Sequence, residues 1–469
     1  MNLMRQFKHT SYRWRSWIQL SERGPHVLYR MMRSIAELPN RTSKAAARAY
    51  GSNQLMSRTT ALCVLLALSA GCAEPPTLSS QYFAFDNPEK LSRWSVIQVR
   101  DQALTLAGDA KVYQLASPLF SDYAGKLRTL SLPKGAQVSL DADTERFVYP
   151  IGTIMTKTFY YRRASGSQRS EFRLVKANQG SELGLNDFSL AEVTLLETRV
   201  LVKRAGGWTA LPYVWDADQQ DATLSPAGAL IRASLQSEGE SEGEGPSEEA
   251  QAFAYLVPNQ NQCAGCHVLD QATKAILPIG PHPRHLATGV EAGDQLAAWA
   301  AFGALSDGVL QEAVGLGANV DWRDAKRPLY LRARSYLDIN CGHCHSPTGP
   351  ADTSGMFLTA TSQDPIRWGV CKAPIAAGQG TGGAQFGIVP GNPDASILSY
   401  RLGSVDPGAM MPELGRSLVH SEGLALIRSW ITEMSGQCNA AQQPVVHSDD
   451  HNPRLLDQNP AFTLASGLD

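Results

Sequence analysis

Cys341-Gly342-His343-Cys344-His345 is the stretch on which the reading of this chain turns. Two cysteines two residues apart, followed at once by histidine, form a c-type haem attachment pattern. The spacing has a chemical reason. Two thiols on one short turn can each form a thioether with a vinyl group of one porphyrin, and the imidazole that follows lies under the ring and ligates the iron. Cys263-Ala264-Gly265-Cys266-His267 repeats the pattern upstream. The pattern predicts two covalently attached haem c groups, bound by Cys263, Cys266, His267, Cys341, Cys344 and His345. Structural zinc competes poorly, because it wants four ligands in paired short spacings. A bare redox dithiol prefers a βαβ setting, which this sequence lacks.

Around the second motif the pattern is regular. Pro328 suits the first turn of a helix running through Leu331, Tyr336 and Leu337 into Cys341. A C-terminal helix opens at Ser421-Glu422, with apolar residues Leu424, Ile427, Trp430, Ile431 and Met434 every three to four positions, and Gly436 ends it. Between the helices lies Gly408-Ala409-Met410-Met411-Pro412. A methionine beside proline in a loop suits a distal thioether ligand, and Met411 is preferred to Met410 for the second haem. His343 is expected to face solvent.

The first motif is framed differently. Pro258 keeps the approach to Cys263 extended, so no helix of the standard kind precedes it. A helix is expected to follow from Asp294 to about Leu305. No methionine lies between His267 and Cys341. His285 is the preferred distal ligand, with His282, Met356 or an open position as alternatives.

Composition bounds the rest. The 469 residues allow two or three domains, and 18% charge with 40 Gly and 27 Pro describes a loop-rich protein. Residues 1–55 hold ten Lys/Arg against two Glu, so the net charge of −2 leaves the remainder acidic, near −10. A basic redox partner is favoured, and nothing in the main body points to nucleic acid. Of eight cysteines, Cys371 and Cys438 fall outside the motifs and the leader. Haem c is attached outside the bacterial cytoplasm, where disulfides also form, so a Cys371–Cys438 disulfide is preferred to two buried thiols.

The expected organisation is multidomain: an antiparallel β-rich N-terminal domain followed by a mostly α, loop-rich cytochrome c-type haem region. Residues 1–55 read as an upstream extension. Residues 56–72 read as a lipoprotein-type signal, with a short apolar run and Ser69-Ala70-Gly71 before a lipidated Cys72. That predicts a periplasmic or outer-membrane lipoprotein touching the membrane through Cys72. Residues 80–235 form the β-domain, with strands at 153–161 and 194–203 and a hairpin return at 208–215 after Gly206-Gly207. Trp208, Tyr213 and Trp215 fit sandwich packing better than a ligand platform. Residues 236–250 are a Glu/Ser/Gly linker, 251–325 the first haem segment, 326–440 the second haem domain, and 441–469 a flexible tail.

The run Arg332–Asn340 into CGHCH, followed by IVPGNPDASIL (388–398), MMPELG (410–415) and the helix with Trp430-Ile431, resembles the cytochrome c domains of exported bacterial dihaem proteins. The likeness extends upstream through CAGCH, PIGP (278–281) and the β-region ETRVLV…GW…LPYVW, about residues 80–438. It implies His267 and His345 as proximal ligands and Met411 as the distal ligand of the second haem. One-electron transfer with a redox protein, for instance a periplasmic dehydrogenase, is the leading expectation. A dihaem peroxidase-like oxidoreductase with an open first haem is the main alternative. A ligand-binding β-domain with haem as redox partner is a weaker one.

Overall fold

The computed structural model describes residues 82–439, apart from 165, 169–170, 177–182, 184–187, 237–249, 287–294 and 376. Cys72 with its signal, the extension 1–55, nearly all of the Glu-rich linker and the tail lie outside the described residues.

The strands in chain order are β1 (Ile97–Arg100), β2 (Ala103–Leu106), β3 (Lys111–Tyr113), β4 (Gly125–Ser131), β5 (Ser139–Asp141), β6 (Arg146–Val148) and β7 (Ile154–Arg163). They continue with β8 (Arg173–Val175), β9 (Val193–Arg204), β10 (Gly207–Trp215), β11 (Ala222–Leu224), β12 (Ala229–Gln236) and β13 (Gln251–Val257). Nine of them make one sheet, ordered β11-β10-β9-β7-β8-β12-β13, with β4 on β7 and β3 on β4. It curls into a half-barrel. All pairings in it are antiparallel except β8 with β12. β-Branched and aromatic residues crowd β7, where they suit a pleated surface buried on both sides. The β9–β10 hairpin pairs Arg204 with Gly207, so Ala205-Gly206 is its two-residue turn, one position earlier than the sequence indicates.

Successive strand residues point to opposite faces, and here both faces are covered. On one, Ile154, Tyr160, Val200, Tyr213 and Trp215 pack beneath Trp94 and Ile97. On the other, Met155, Leu130 and Trp208 pack against Leu296, Trp299 and Leu305. Trp208 therefore lies across the sheet from Tyr213 and Trp215. All three are buried, and they make no common platform.

Residues 251–257, expected in the first haem segment, belong to this sheet. As β13 they pair with β12 from Ala229↔Val257 to Leu235↔Gln251, and Phe253, Tyr255 and Val257 enter its core.

The helices are short: α1 (Gln260–His267), α2 (Pro283–Leu286), α3 (Gln295–Ala301), α4 (Val309–Gly315), α5 (Leu329–Leu337), α6 (Ile397–Gly403) and α7 (Ser421–Glu433). α5 passes into a π-helical turn over Asp338–Gly342, which carries Cys341. Tyr336 of α5 meets Gly423 of α7 so closely that a Cβ there would clash with the phenol ring. Leu337, Ile427, Trp430 and Ile431 complete this third core. A Cys371–Cys438 disulfide closes its lower end, with Cα atoms 5.0 Å apart.

Candidate functional site

The sheet delivers the first motif directly. Pro258 follows β13, and Asn259 caps α1. Its side chain accepts from Gln262 N at 2.8 Å while Gln262 Oε1 accepts from Asn259 N at 2.9 Å. The cap starts a helix only three residues before Cys263. Gly265 packs closely on Leu414, where a Cβ would lie 3.0 Å from Leu414 Cδ1.

Cys263, Cys266 and His267 open onto a cavity between the sheet and the C-terminal region. Leu119, Phe120, Phe159, Leu201, Leu402 and Leu414 give it apolar walls, and Lys157 and Arg199 line it from the sheet. His267 Nδ1 is 2.7 Å from the Leu277 carbonyl. That contact fixes the ring and leaves Nε2 for a ligand role. Burial lowers the His267 pKa to about 4, so the imidazole is neutral, as ligation requires.

Met411 lines the same cavity. Sequence reasoning gave it to the second haem; the fold brings it together with His267. Its loop is held by arginines the sequence did not single out. Arg416 donates to the carbonyls of Met411 (3.1 Å), Leu418 (3.1 Å), Arg401 (3.1 Å) and Ser404 (2.7 Å). Arg401 Nε donates to Ala409 O at 2.8 Å. Such buried backbone clamps fix a loop without a helix or strand.

The second motif faces the first. Cys344 Sγ is 3.8 Å from Gly265 O, and the neighbouring Cys344 thiol lowers the Cys266 pKa to about 4 while Cys266 raises that of Cys344. Thr348 Oγ1 donates to Leu269 O at 3.1 Å and Gln271 N to Thr348 O at 2.9 Å, so the two motif loops are laced together. Cys341 packs at the edge of the α5–α7 core with Met356. His345 Nδ1 is 3.3 Å from Ser354 Oγ, and burial lowers its pKa to about 4. His343, expected in solvent, is half-buried and also lines the cavity of the first motif.

His282 and His285 do not reach that cavity. They line a second cavity, beside Gly342 and His343. His285 is 6% exposed, and its Nε2 is 2.8 Å from Asp338 Oδ2. Asp338 also accepts from Asn319 Nδ2 (2.6 Å) and Ala360 N (2.7 Å). Burial works to raise its pKa, but these hydrogen bonds, His285 first, hold it below the usual carboxylate range.

The first motif fits a porphyrin on its donor set and its lining: two thiols and a neutral imidazole, a thioether on the same cavity, apolar walls and cationic residues. At the second motif the donors are present, while neither cavity is lined by Cys341 or His345. Among the described residues, no group of three or more His, Cys, Asp or Glu could hold a metal ion, so the four motif cysteines assemble no zinc site. No family model, curated protein or solved structure matches the chain.

Proposed function

We propose that this chain is an exported dihaem c-type cytochrome that passes electrons one at a time between redox proteins, its C-terminal region forming a cytochrome c-like second haem domain. The observation that supports the reading is the cavity lined together by Cys263, Cys266, His267 and Met411. Haem c bound there supplies a reversible one-electron couple, and His/Met ligation raises its potential. The chain's own residues do the rest. Cys263 and Cys266 attach the porphyrin. The Leu277 carbonyl orients His267, and Arg416 holds the Met411 loop. Leu201, Leu402 and Leu414 keep water from the iron. With His267 and Met411 both holding the group, no open position would remain at the first motif for a substrate, as a carrier requires.

The peroxidase-like alternative needs an open haem at the first motif, whereas the buried acid–base pair His285–Asp338 lies beside Gly342 and His343 of the second. One experiment separates the two. Protein matured with haem c is expected to carry two haems per chain by intact mass, and its ferrous spectrum is expected to be unchanged by carbon monoxide. Met411→Ala is expected to abolish the long-wavelength thioether–iron band and admit carbon monoxide at one haem. Carbon monoxide binding by the unaltered protein, with peroxide turnover, would refute the carrier reading.

A further inference from the structure

Phe120-Ser121-Asp122-Tyr123, the segment that leads into β4, holds two consecutive non-glycine residues in the left-handed region, with φ of 49° at Asp122 and 64° at Tyr123. That region crowds the side chain against the backbone, and a residue as bulky as tyrosine rarely enters it. Strain of this kind persists only where the surroundings over-determine it. Here the surroundings are the C-terminal region. Phe120 N donates to Oδ1 of Asn340, the residue before Cys341, at 2.9 Å. Asp122 accepts from Ser417 N at 2.7 Å (Oδ1) and 2.9 Å (Oδ2), and its Oδ1 accepts from Leu418 N at 2.8 Å. Tyr123 Oη accepts from Ser421 N at 3.1 Å and donates to Glu422 Oε2 at 2.9 Å. Tyr161 of β7 donates to Asp122 O, which ties the same residue back to the sheet.

These contacts begin one residue beyond the clamp on Met411. Asp122 is 2% exposed, and its carboxylate takes the amides of the two residues that follow Arg416. Ser417 is fastened a second time, its Oγ donating to Ala254 O of β13 at 2.6 Å. Arg416 in turn holds the Met411 carbonyl and reaches back to Arg401 O and Ser404 O. Residues 404–420, between α6 and α7, form neither helix nor strand. Side-chain bonds to the backbone therefore fix where Met411 stands, and they run from the sheet through Asp122 and Arg416 to that residue.

We propose that Asp122 is a positioning residue for Met411: the strained segment 120–123 fastens the loop to the sheet and so keeps the thioether at the cavity of the first motif. This rests on the His267/Met411 reading and extends it. The β-domain before residue 258 supplies no attachment cysteine, and its role at the site is to anchor the distal ligand. An intruding base can bind only while the thioether has swung away, so its apparent affinity measures the fraction of time the loop stands open.

The test uses the ferric, haem-loaded full chain, with haems per chain counted by intact mass and imidazole as the intruding base. Asp122→Ala removes the acceptor of both amides. A hydrogen bond to a charged group shifts an equilibrium by roughly tenfold or more. The apparent imidazole affinity of the thioether-ligated haem is therefore expected to rise at least about tenfold, with weakening of the thioether–iron band. Asp122→Asn keeps the size, tolerates a left-handed φ and retains one acceptor oxygen, so it is expected to fold and to fall between parent and alanine. Trp94→Phe acts in a different core, where it drops the 2.8 Å bond to Tyr213 Oη. It is expected to lower the urea midpoint and leave the imidazole affinity as it was. Parent-like affinity in both Asp122 variants, while Met411→Ala takes up imidazole freely, overturns the positioning role and leaves the His/Met reading standing. A rise in Trp94→Phe equal to that in Asp122→Ala assigns the effect to overall stability and also overturns the positioning role. Absence of haem from Cys263 and Cys266, or a Met411→Ala variant that behaves as the parent, overturns the His/Met reading and the positioning role together.

Discussion

Removing the Cys371–Cys438 bond tests how the C-terminal region is held. The bond spans 67 residues and encloses α6, the Met411 loop and α7. In the chain-entropy treatment, a closed loop of that length costs the unfolded ensemble about 15 cal/mol/K, or about 4 kcal/mol at room temperature. Cys371→Ser with Cys438→Ser removes the constraint without leaving a lone thiol. Both positions are partly buried and lie at the margin of the core, so the substitutions themselves add little. Urea unfolding of the haem-loaded chain, followed at Trp fluorescence, is expected to show a loss of about 4 kcal/mol and a steeper denaturant dependence, because the freed unfolded chain exposes more surface. The Met411 thioether band is expected to vanish at lower urea than in the parent. A loss under about 1 kcal/mol would refute the loop-entropy argument, and would mean that α5, α6 and α7 hold the region by packing alone.

Two further predictions concern the same core. Gly423→Ala places a methyl against the buried Tyr336 ring, so overpacking of roughly 1–3 kcal/mol is set against a helix-propensity gain of about 1. Net destabilisation that disappears when Tyr336 is also changed to Leu checks the contact; additive losses would contradict it. His420 stacks on Phe120 at 4.1 Å and lies 3.0 Å from Tyr336 Oη, and burial lowers its pKa to about 3. An unfolded His titrates near ~6.5, so between the two values the unfolded chain binds the extra proton. The stabilisation is complete above pH ~6.5 and is lost as pH falls toward 3, roughly 2 kcal/mol of it by pH 5. His420→Gln is expected to remove that share of the slope in unfolding measured from pH 7 to 5, and an unchanged slope would assign it elsewhere.

What could be read in the sequence was local. The β9–β10 hairpin, the helix entering Cys341, the helix from Ser421 and the disulfide all follow from short-range patterns or from cysteine count. What could not was set by long-range register. β13 joins the sheet because its alternating Phe253, Tyr255 and Val257 find β12, a partner across the linker. Met411 reaches the cavity of His267 because Arg401 and Arg416 shape its loop, and no spacing rule reports that. His285 turns to Asp338, a residue 53 positions away, instead of the cavity. One signal was available and unread. Lys157 interrupts an otherwise apolar and β-branched strand, Thr153 to Tyr161, at an inward position. A charge placed there marks either an edge strand or a site.

The route from β13 through Pro258-Asn259 into α1 has a consequence for dissecting the molecule. A fragment begun after residue 250 would keep all four attachment thiols, both motif histidines and Met411, and would pass any inventory of ligands. It would also lose Lys157, Phe159, Arg199 and Leu201, the strands opposite those ligands. Water would then enter where the sheet now stands, and on the proposed function a haem at the first motif would be tethered without being enclosed. In such a fragment the count of haems per chain would report attachment alone, and the midpoint potential would report whether the vessel was still there.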